Sequence, residues 1–561
     1  MNRNLQAIRI FDLHGGQDGS LDSVPTRYSY TKMGSLRNWY VDHNRIKTRP
    51  PKMLHLASAF PAGVQKYHQF TGDDHALHLL IFSNGRVYLD TAATEITNGL
   101  TLTTDIEATF TLTNHDGKVF GTDAENTPFV YVGGVLRELP DYIATLTNGS
   151  ILPSRCGSIA SFHETLFMFD IDDPTGTFPF RTAWSNAFNA TAPVPTLYTD
   201  WPEDFSNNFA RDHVGRGMAR YADTLLFLLD RSIEYCRLSE ASNVNFAFDS
   251  LDSDTGICGA SAFLSTRAGF FFAGINGIHW IQRVSEDAVK LPAARYVGKP
   301  VEDVWSLINP EKRHIIRAVE IPELNGVMFC VPYGRTQATN NLGLFFNYDE
   351  WSKTGQDLHP AFSKWDNDTD ADEDGTPDEP WAFTAAEKVE IDGRQRVLMG
   401  DSDGRTFILG DRDGDADAQG VTWDNKDEGD VPFVPEFETP NYGDHNQESI
   451  WQEVALFSDR DSEKVWEIEQ SNYGSQDSFE DNLTSVSEEA DELTEDASPD
   501  GEAEEVPFIL SSSFLTGQNS GITQADMWDH SLFTSLRAEL TDGIPCTLEG
   551  MVLRRRPGGT W

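Results

Sequence analysis

The chain has 561 residues, 39% of them hydrophobic and 11% aromatic, which is enough apolar material for a large core and two or three domains. Its 43 basic residues (13 Lys, 30 Arg) stand against 89 acidic ones, for a formal charge of -46. That balance argues against a general nucleic-acid-binding face and against docking on anionic lipid.

Strong acidity with few lysines suits a protein kept soluble at high or marine salt, where screening weakens self-repulsion. Acidic inserts that inflate the total are the other reading. The first residues show no apolar signal-like core and no apolar run reaches about 18 residues, so the expectation is a protein made soluble in a cytoplasm, without a membrane partner. Cys156, Cys236, Cys258, Cys330 and Cys546 are widely spaced with no CxxC. They read as buried free thiols rather than as a zinc or redox site.

Residues 1–50 read as an extended N-terminal arm. Within it, Trp39 and Val41 fall on one face of a strand with polar neighbours on the other, and Arg49-Pro50-Pro51 ends the strand. This is either an ordinary edge strand or an arm that pairs with a neighbouring subunit.

From residue 51 the pattern is one of repeated hairpins. Apolar strands flank Ser83-Asn84-Gly85, Asp116-Gly117, Gly133-Gly134, His163-Glu164, Ala222-Asp223, Asn276-Gly277, Asn325-Gly326 and Asp401-Ser402-Asp403-Gly404. The stretch Val214 to Leu238 shows the unit best: a turn at Ala222-Asp223, the apolar strand Leu225 to Leu229, a turn at 230–232, then an alternating strand through Ile233 and Tyr235. Arg181 to Ser185 reads as a short strand inside a polar stretch. The main turns near 85, 117, 164, 223, 276, 326 and 404 recur about every 50 residues, close to a propeller blade's period. The expectation is an all-β chain: a β-propeller of about six or seven blades over 51–410. A small C-terminal β domain follows over 411–561, carrying an acidic insert at 471–506 too like-charged to pack, a solvated loop or disordered insert.

Catalytic motifs are missing: no nucleophile elbow, no His-Glu-x-x-His, no phosphate-binding glycine loop. His163-Glu164 lacks a second His, and His75 and His78 point to opposite faces of a strand. Two acidic loops have the oxygen-rich spacing of structural Ca²⁺ sites: Asp370, Asp372, Asp374 and Asp378, and Asp411, Asp413, Asp415 and Asp417. The alternative is a pair of solvated acidic loops. No cofactor is required by this reading.

The segment Asn38-Trp39-Tyr40-Val41-Asp42 followed by Lys47-Thr48-Arg49-Pro50-Pro51 resembles the entry segment of tail β-propeller proteins of tailed bacteriophages and archaeal viruses, with Pro51 where that family has Gly. Thr182 to Asn186, the 214–238 unit, Phe346 to Trp351 and Val397 to Leu409 fit the same pattern. The resemblance implies a virion structural protein of the tail hub, nozzle or tubular type. It would be a homo-oligomeric ring, commonly of six copies, that continues or closes the DNA channel and contacts portal, adaptor, tail or capsid subunits. It implies no catalytic residues. Acidic walls would let DNA slide without sticking. The alternatives are a capsid-decorating turret or spike, and a glycan-binding or glycan-hydrolysing propeller, which needs two carboxylates about 5–10 Å apart in a pocket.

Overall fold

The computed structural model describes residues 6–10, 35–43, 45–56, 59–72, 74–115, 117–143, 152–186, 201–210, 212–239, 245–251, 255–283, 291–354, 357–366, 383–410, 423–424, 431–432, 435–438, 442–443, 447–458, 466–473, 483–487, 521–531, 533–540 and 546–560. The regular structure is overwhelmingly β, with only short helical turns.

Seven antiparallel sheets follow one another along the chain. Blade 1 is Val64–Thr71, Leu77–Ser83 and Arg86–Leu89, extended by a bridge from Tyr88 to Glu95. Blade 2 runs from Thr111–His115 to Val135–Glu138, blade 3 from Arg155–Phe162 to Ser206–Asn208, and blade 4 from Gly215–Tyr221 to Phe246–Ser250. Blade 5 runs from Phe263–Thr266 to Arg295–Tyr296, and blade 6 from Arg317–Ile321 to Asp357–Trp365. Blade 7 takes Ala385–Ile391, Arg394–Gly400 and Thr406–Leu409 from late in the propeller, and its outer strand, Lys52–Leu54, from before blade 1. The first strands of neighbouring blades lie side by side around a common axis. The protein is a seven-bladed β-propeller whose ring is closed by a strand from its own beginning.

The sequence explains why the blades stack. Second strands such as Thr224–Leu229, Gly269–Gly274 and Gly326–Val331 are buried at every position, because each blade is covered on both faces by its neighbours. Rings fill the seams: Phe227 of blade 4 lies 5.5 Å from Phe169 of blade 3, and Phe346 of blade 6 lies 5.1 Å from Phe271 of blade 5. Cys156, Cys236, Cys330 and Cys546 are buried thiols outside any disulfide among the described residues, and Cys258 is half-buried.

Hairpin chemistry sets the register. Asn84-Gly85 and His163-Glu164 hold positive φ at both central positions, the geometry that matches strand twist. The seven main turns read from the sequence fall one in each blade, some in the first hairpin and some in the second. Gly404 shows how tight such a turn is. Its φ is +81°, and a Cβ there would sit 2.4 Å from the Phe60 carbonyl oxygen and 2.6 Å from that of Ala62. Gly404→Ala is therefore expected to cost about 1–3 kcal/mol, read as a lower urea midpoint at unchanged slope.

Apart from a two-stranded ribbon of Trp423–Asp424 and Val431–Pro432, the remaining strands fall into two further arrangements. Outward from blade 6, the sheet continues through Ser35–Arg37, Glu436–Glu438, Phe533–Leu540, Trp466–Tyr473 and Leu483–Ser487. A second sheet joins Trp39–Asp42, Arg45–Thr48, Thr547–Thr560, Gln447–Ser458 and Gly521–Ser531, with Gln6–Ile10 also paired to Thr547–Thr560. Ser35–Arg37, Trp39–Asp42 and Arg45–Thr48 are thus paired within their own chain.

Three details differ from the sequence reading. Tyr40, expected on a polar face, is buried like Trp39 and Val41, because it packs edge-on against Phe345 of blade 6. The strand expected over 181–185 begins at Gly176, since it follows Thr165–Asp173 through a tight hairpin. Leu483–Ser487, inside the acidic stretch, is a strand paired with Trp466–Tyr473; residues 474–482 and 488–506 lie outside the described residues. Both Asp loops, 370–378 and 411–417, also lie outside them.

Candidate functional site: axial channel and N-terminal junction

The first strands of all seven blades, with the residues leading into them, line a central cavity of about 380 Å³. These strands alternate, so every second side chain faces the axis. Several polar residues on these strands are matched to one another. Lys66 of blade 1 bonds Glu387 of blade 7. Lys388 of blade 7 donates to Glu320 of blade 6 at 2.6 Å, and Glu320 also accepts from Tyr348 at 3.3 Å. His68 meets Asn114 of blade 2 at 2.8 Å, and burial holds its pKa below the usual imidazole value, so it is neutral at pH 7. Gln69 exchanges two 2.8 Å hydrogen bonds with the Glu390 backbone.

One mouth of the channel is bridged. Glu107, in the connection between blades 1 and 2, bonds Lys312 and, at 3.0 Å, His314 Nε2, both from the connection between blades 5 and 6. Burial raises the Glu107 pKa, but the hydrogen bonds from Lys312 and His314 outweigh it and leave the carboxyl below its ordinary value. A carboxyl with a depressed folded-state pKa stabilises above the ordinary glutamate pKa, and that contribution disappears as pH falls through the lowered value. Urea midpoints measured between roughly pH 6 and pH 3 should therefore fall less steeply in Glu107→Gln than in the parent. Identical slopes would remove the bridge from the account.

At the other candidate histidines, His75 occupies a turn with φ 63°. His78 Nδ1 lies 2.9 Å from Asp90, and its Nε2 lies 3.2 Å from Asp74; the Asp90 bond leads in raising its pKa. Among the described residues, no group of three or more His, Cys, Asp or Glu is placed to hold a metal ion.

The segment that carried the family resemblance forms a second, quite different constellation. Arg49 is fully buried. Its Nε donates to Asn38 Oδ1 at 2.9 Å, Nη1 to the Pro50 carbonyl at 3.1 Å, and Nη2 to the Asp366 carbonyl at 3.1 Å. Asn38 Oδ1 also accepts from the Asp366 N–H at 3.0 Å. Trp365 Nε1 donates to the Trp39 carbonyl at 2.8 Å, and its ring stacks on Phe345 at 4.3 Å. Asn347, within the Phe346 to Trp351 pattern, donates to the Val41 carbonyl at 3.3 Å. Beyond the propeller, the Cys546 N–H donates to Thr48 Oγ1 at 3.1 Å, and Trp39 lies edge-on to Phe437 at 6.5 Å. These residues join blade 6, the segment 35–50 and the C-terminal strands, and what they bond is mainly backbone. In the sequence Arg49 stands out as part of a strand stop and of the resemblance motif, not as a buried residue. The signal for its burial was the Asn-Trp-Tyr-Val run opposite it.

No family model matches the chain, and no curated protein matches it. Among solved structures, similarity is found to PorZ, a surface component of the type-IX secretion system of Porphyromonas gingivalis, at 10% identity over 81% of this chain and TM-score 0.34. The chain spans about half (54%) of that protein's length. BBS1N, solved in complex with ARL6DN, is similar at 11% identity and TM-score 0.35, over 65% of this chain and 98% of that one. The exo-β-1,3-galactanase of Phanerochaete chrysosporium is similar at 10% identity and TM-score 0.25, over 82% of this chain and 97% of that one.

Proposed function

We propose that this protein is a structural component of a virus particle that works through protein–protein contacts, as a ring-forming subunit of the tail hub or nozzle kind. The supporting observation is the junction. The residues that carry the family resemblance, Asn38, Trp39 and Arg49 among them, are spent on buried packing and backbone hydrogen bonds, with no reactive group presented. Such a motif preserves an architecture.

The channel supports the same reading. Its carboxylates Glu320 and Glu387 are held by Lys388 and Lys66, so neither stands free as an acid or nucleophile for glycoside cleavage. The bridge of Glu107 to Lys312 and His314 lies across one mouth, so a DNA conduit in this reading is the lumen of the ring of copies, not the axis of one propeller. Its acidic walls would repel phosphate and let DNA pass.

Native mass spectrometry and electron microscopy of the purified protein, mixed with its particle's portal or tail subunits, test the proposal. The expected result is a closed ring, six copies being the family's common number. A monomer at all concentrations that hydrolyses host polysaccharide would overturn it.

A further inference from the structure

We propose that the axial channel is a binding site for a small oxyanion, a carboxylate or phosphate group, seated against the guanidinium of Arg317. The inference is independent of how copies assemble.

Arg317 opens the first strand of blade 6, lines the cavity, and is only 6% exposed. Its Nε donates to the Thr384 carbonyl at 3.3 Å. Its Nη1 is buried and has no hydrogen-bond partner. A buried cation with an open donor position is costly unless something else satisfies it.

The neighbours do not. The cavity lining carries three cations, Lys66, Arg317 and Lys388, against two carboxylates, Glu320 and Glu387. Each carboxylate is bonded to one of the lysines, which leaves the arginine as the surplus charge. Glu107 acts on Arg317 through space, but its two oxygens are held by Lys312 and His314. The Cys330 thiol beside it is pushed up to about 12 by burial, so it is uncharged at neutral pH. Burial draws Arg317 itself down to about 10, which still leaves it protonated. A net positive cavity lining thus lies at the axis of a chain whose formal charge is -46.

Size and geometry fit the ligand class. About 380 Å³ is at the lower end of small-molecule cavities, which span about 300–1,000 Å³. A planar guanidinium offers parallel N–H groups that match the oxygens of carboxylate or phosphate, whereas a lysine ammonium does not. Ser261 and Ser265 also line the cavity and bring hydroxyls to it.

Inorganic phosphate is the probe. It is titrated at constant ionic strength against the full chain, with the thermal midpoint and equilibrium dialysis as readouts. The parent protein should bind phosphate saturably, near one per chain, and its midpoint should rise with phosphate. Arg317→Met should lose the response, and Arg317→Lys should bind at least tenfold more weakly. If the Met variant does not fold, the Lys variant makes the same comparison. Competition by acetate or succinate at the dialysis step would identify a carboxylate site, and its absence a phosphate site. Non-saturable uptake by the parent protein, or equal binding by the Arg317 variants, would overturn the proposal.

Discussion

Replacing Arg49 with alanine is expected to lower stability by roughly 3 kcal/mol or more, on the basis of about 0.5–1.5 kcal/mol per ordinary hydrogen bond and more when the donor is charged. Three bonds vanish at once, and the Pro50 and Asp366 carbonyls lose a buried donor. Lysine should not rescue the change, because an ammonium cannot reach three acceptors spread in the plane of a guanidinium. Asn38 Oδ1 keeps the Asp366 N–H, so the damage should begin at the junction and spread from there. Hydrogen exchange can locate it: amides of Ser35–Arg37 and Glu436–Glu438 should lose protection before those of Thr224–Leu229. A urea midpoint equal to the parent's would mean that Arg49 does not hold the junction.

Phe227→Ala should cost about 3–5 kcal/mol, the range for emptying a fully buried aromatic site. The ring is wholly buried and touches two blades: Phe169 at 5.5 Å belongs to blade 3, Phe248 at 5.8 Å to blade 4, and Phe209 at 4.9 Å to the link between them. Because these neighbours are themselves rigid rings, they cannot collapse into the gap. Phe227→Leu keeps most of the volume and should cost less than about 1.5 kcal/mol. Calorimetric unfolding of both variants distinguishes the cases. An alanine variant within about 1 kcal/mol of the parent would show that the seam repacks.

Some features of this molecule are written locally and others are not. Turns are local: Asn84-Gly85, Gly133-Gly134 and Ala222-Asp223 announce their hairpins, and the apolar runs beside them mark second strands buried on both faces. The hairpin at Asp392-Gly393 has the same turn chemistry, with φ 52° and 73°, but is harder to see in the sequence. Its strands, Ala385–Ile391 and Arg394–Gly400, carry Glu387, Lys388 and Glu390 on one side of the turn and Arg394, Gln395 and Arg396 on the other, which hide the apolar alternation.

The channel was illegible for a different reason. Lys66 and Glu387 are 321 positions apart, and Glu107 and His314 are 207 apart, so no window of sequence contains a pair. Arg317 reads as one more charged residue beside a strand until closure of the ring encloses it. The junction was half visible: the motif stood out, but its partners Asp366, Phe437 and Cys546 lie far away in the chain.

The closure of blade 7 by Lys52–Leu54, and the bond from Cys546 to Thr48 across 498 residues, set an order of events at the ribosome. At about 5–20 residues per second, the early strands wait roughly 25–100 s before their last partners have been made. Until Phe345, Asn347 and Trp365 of blade 6 have been made, Trp39, Tyr40 and Val41 have no core to enter, and the unpaired strand edges beside them invite a neighbouring nascent chain. Yield from a cell should therefore depend on chaperone supply and translation speed more than on the stability of the finished ring.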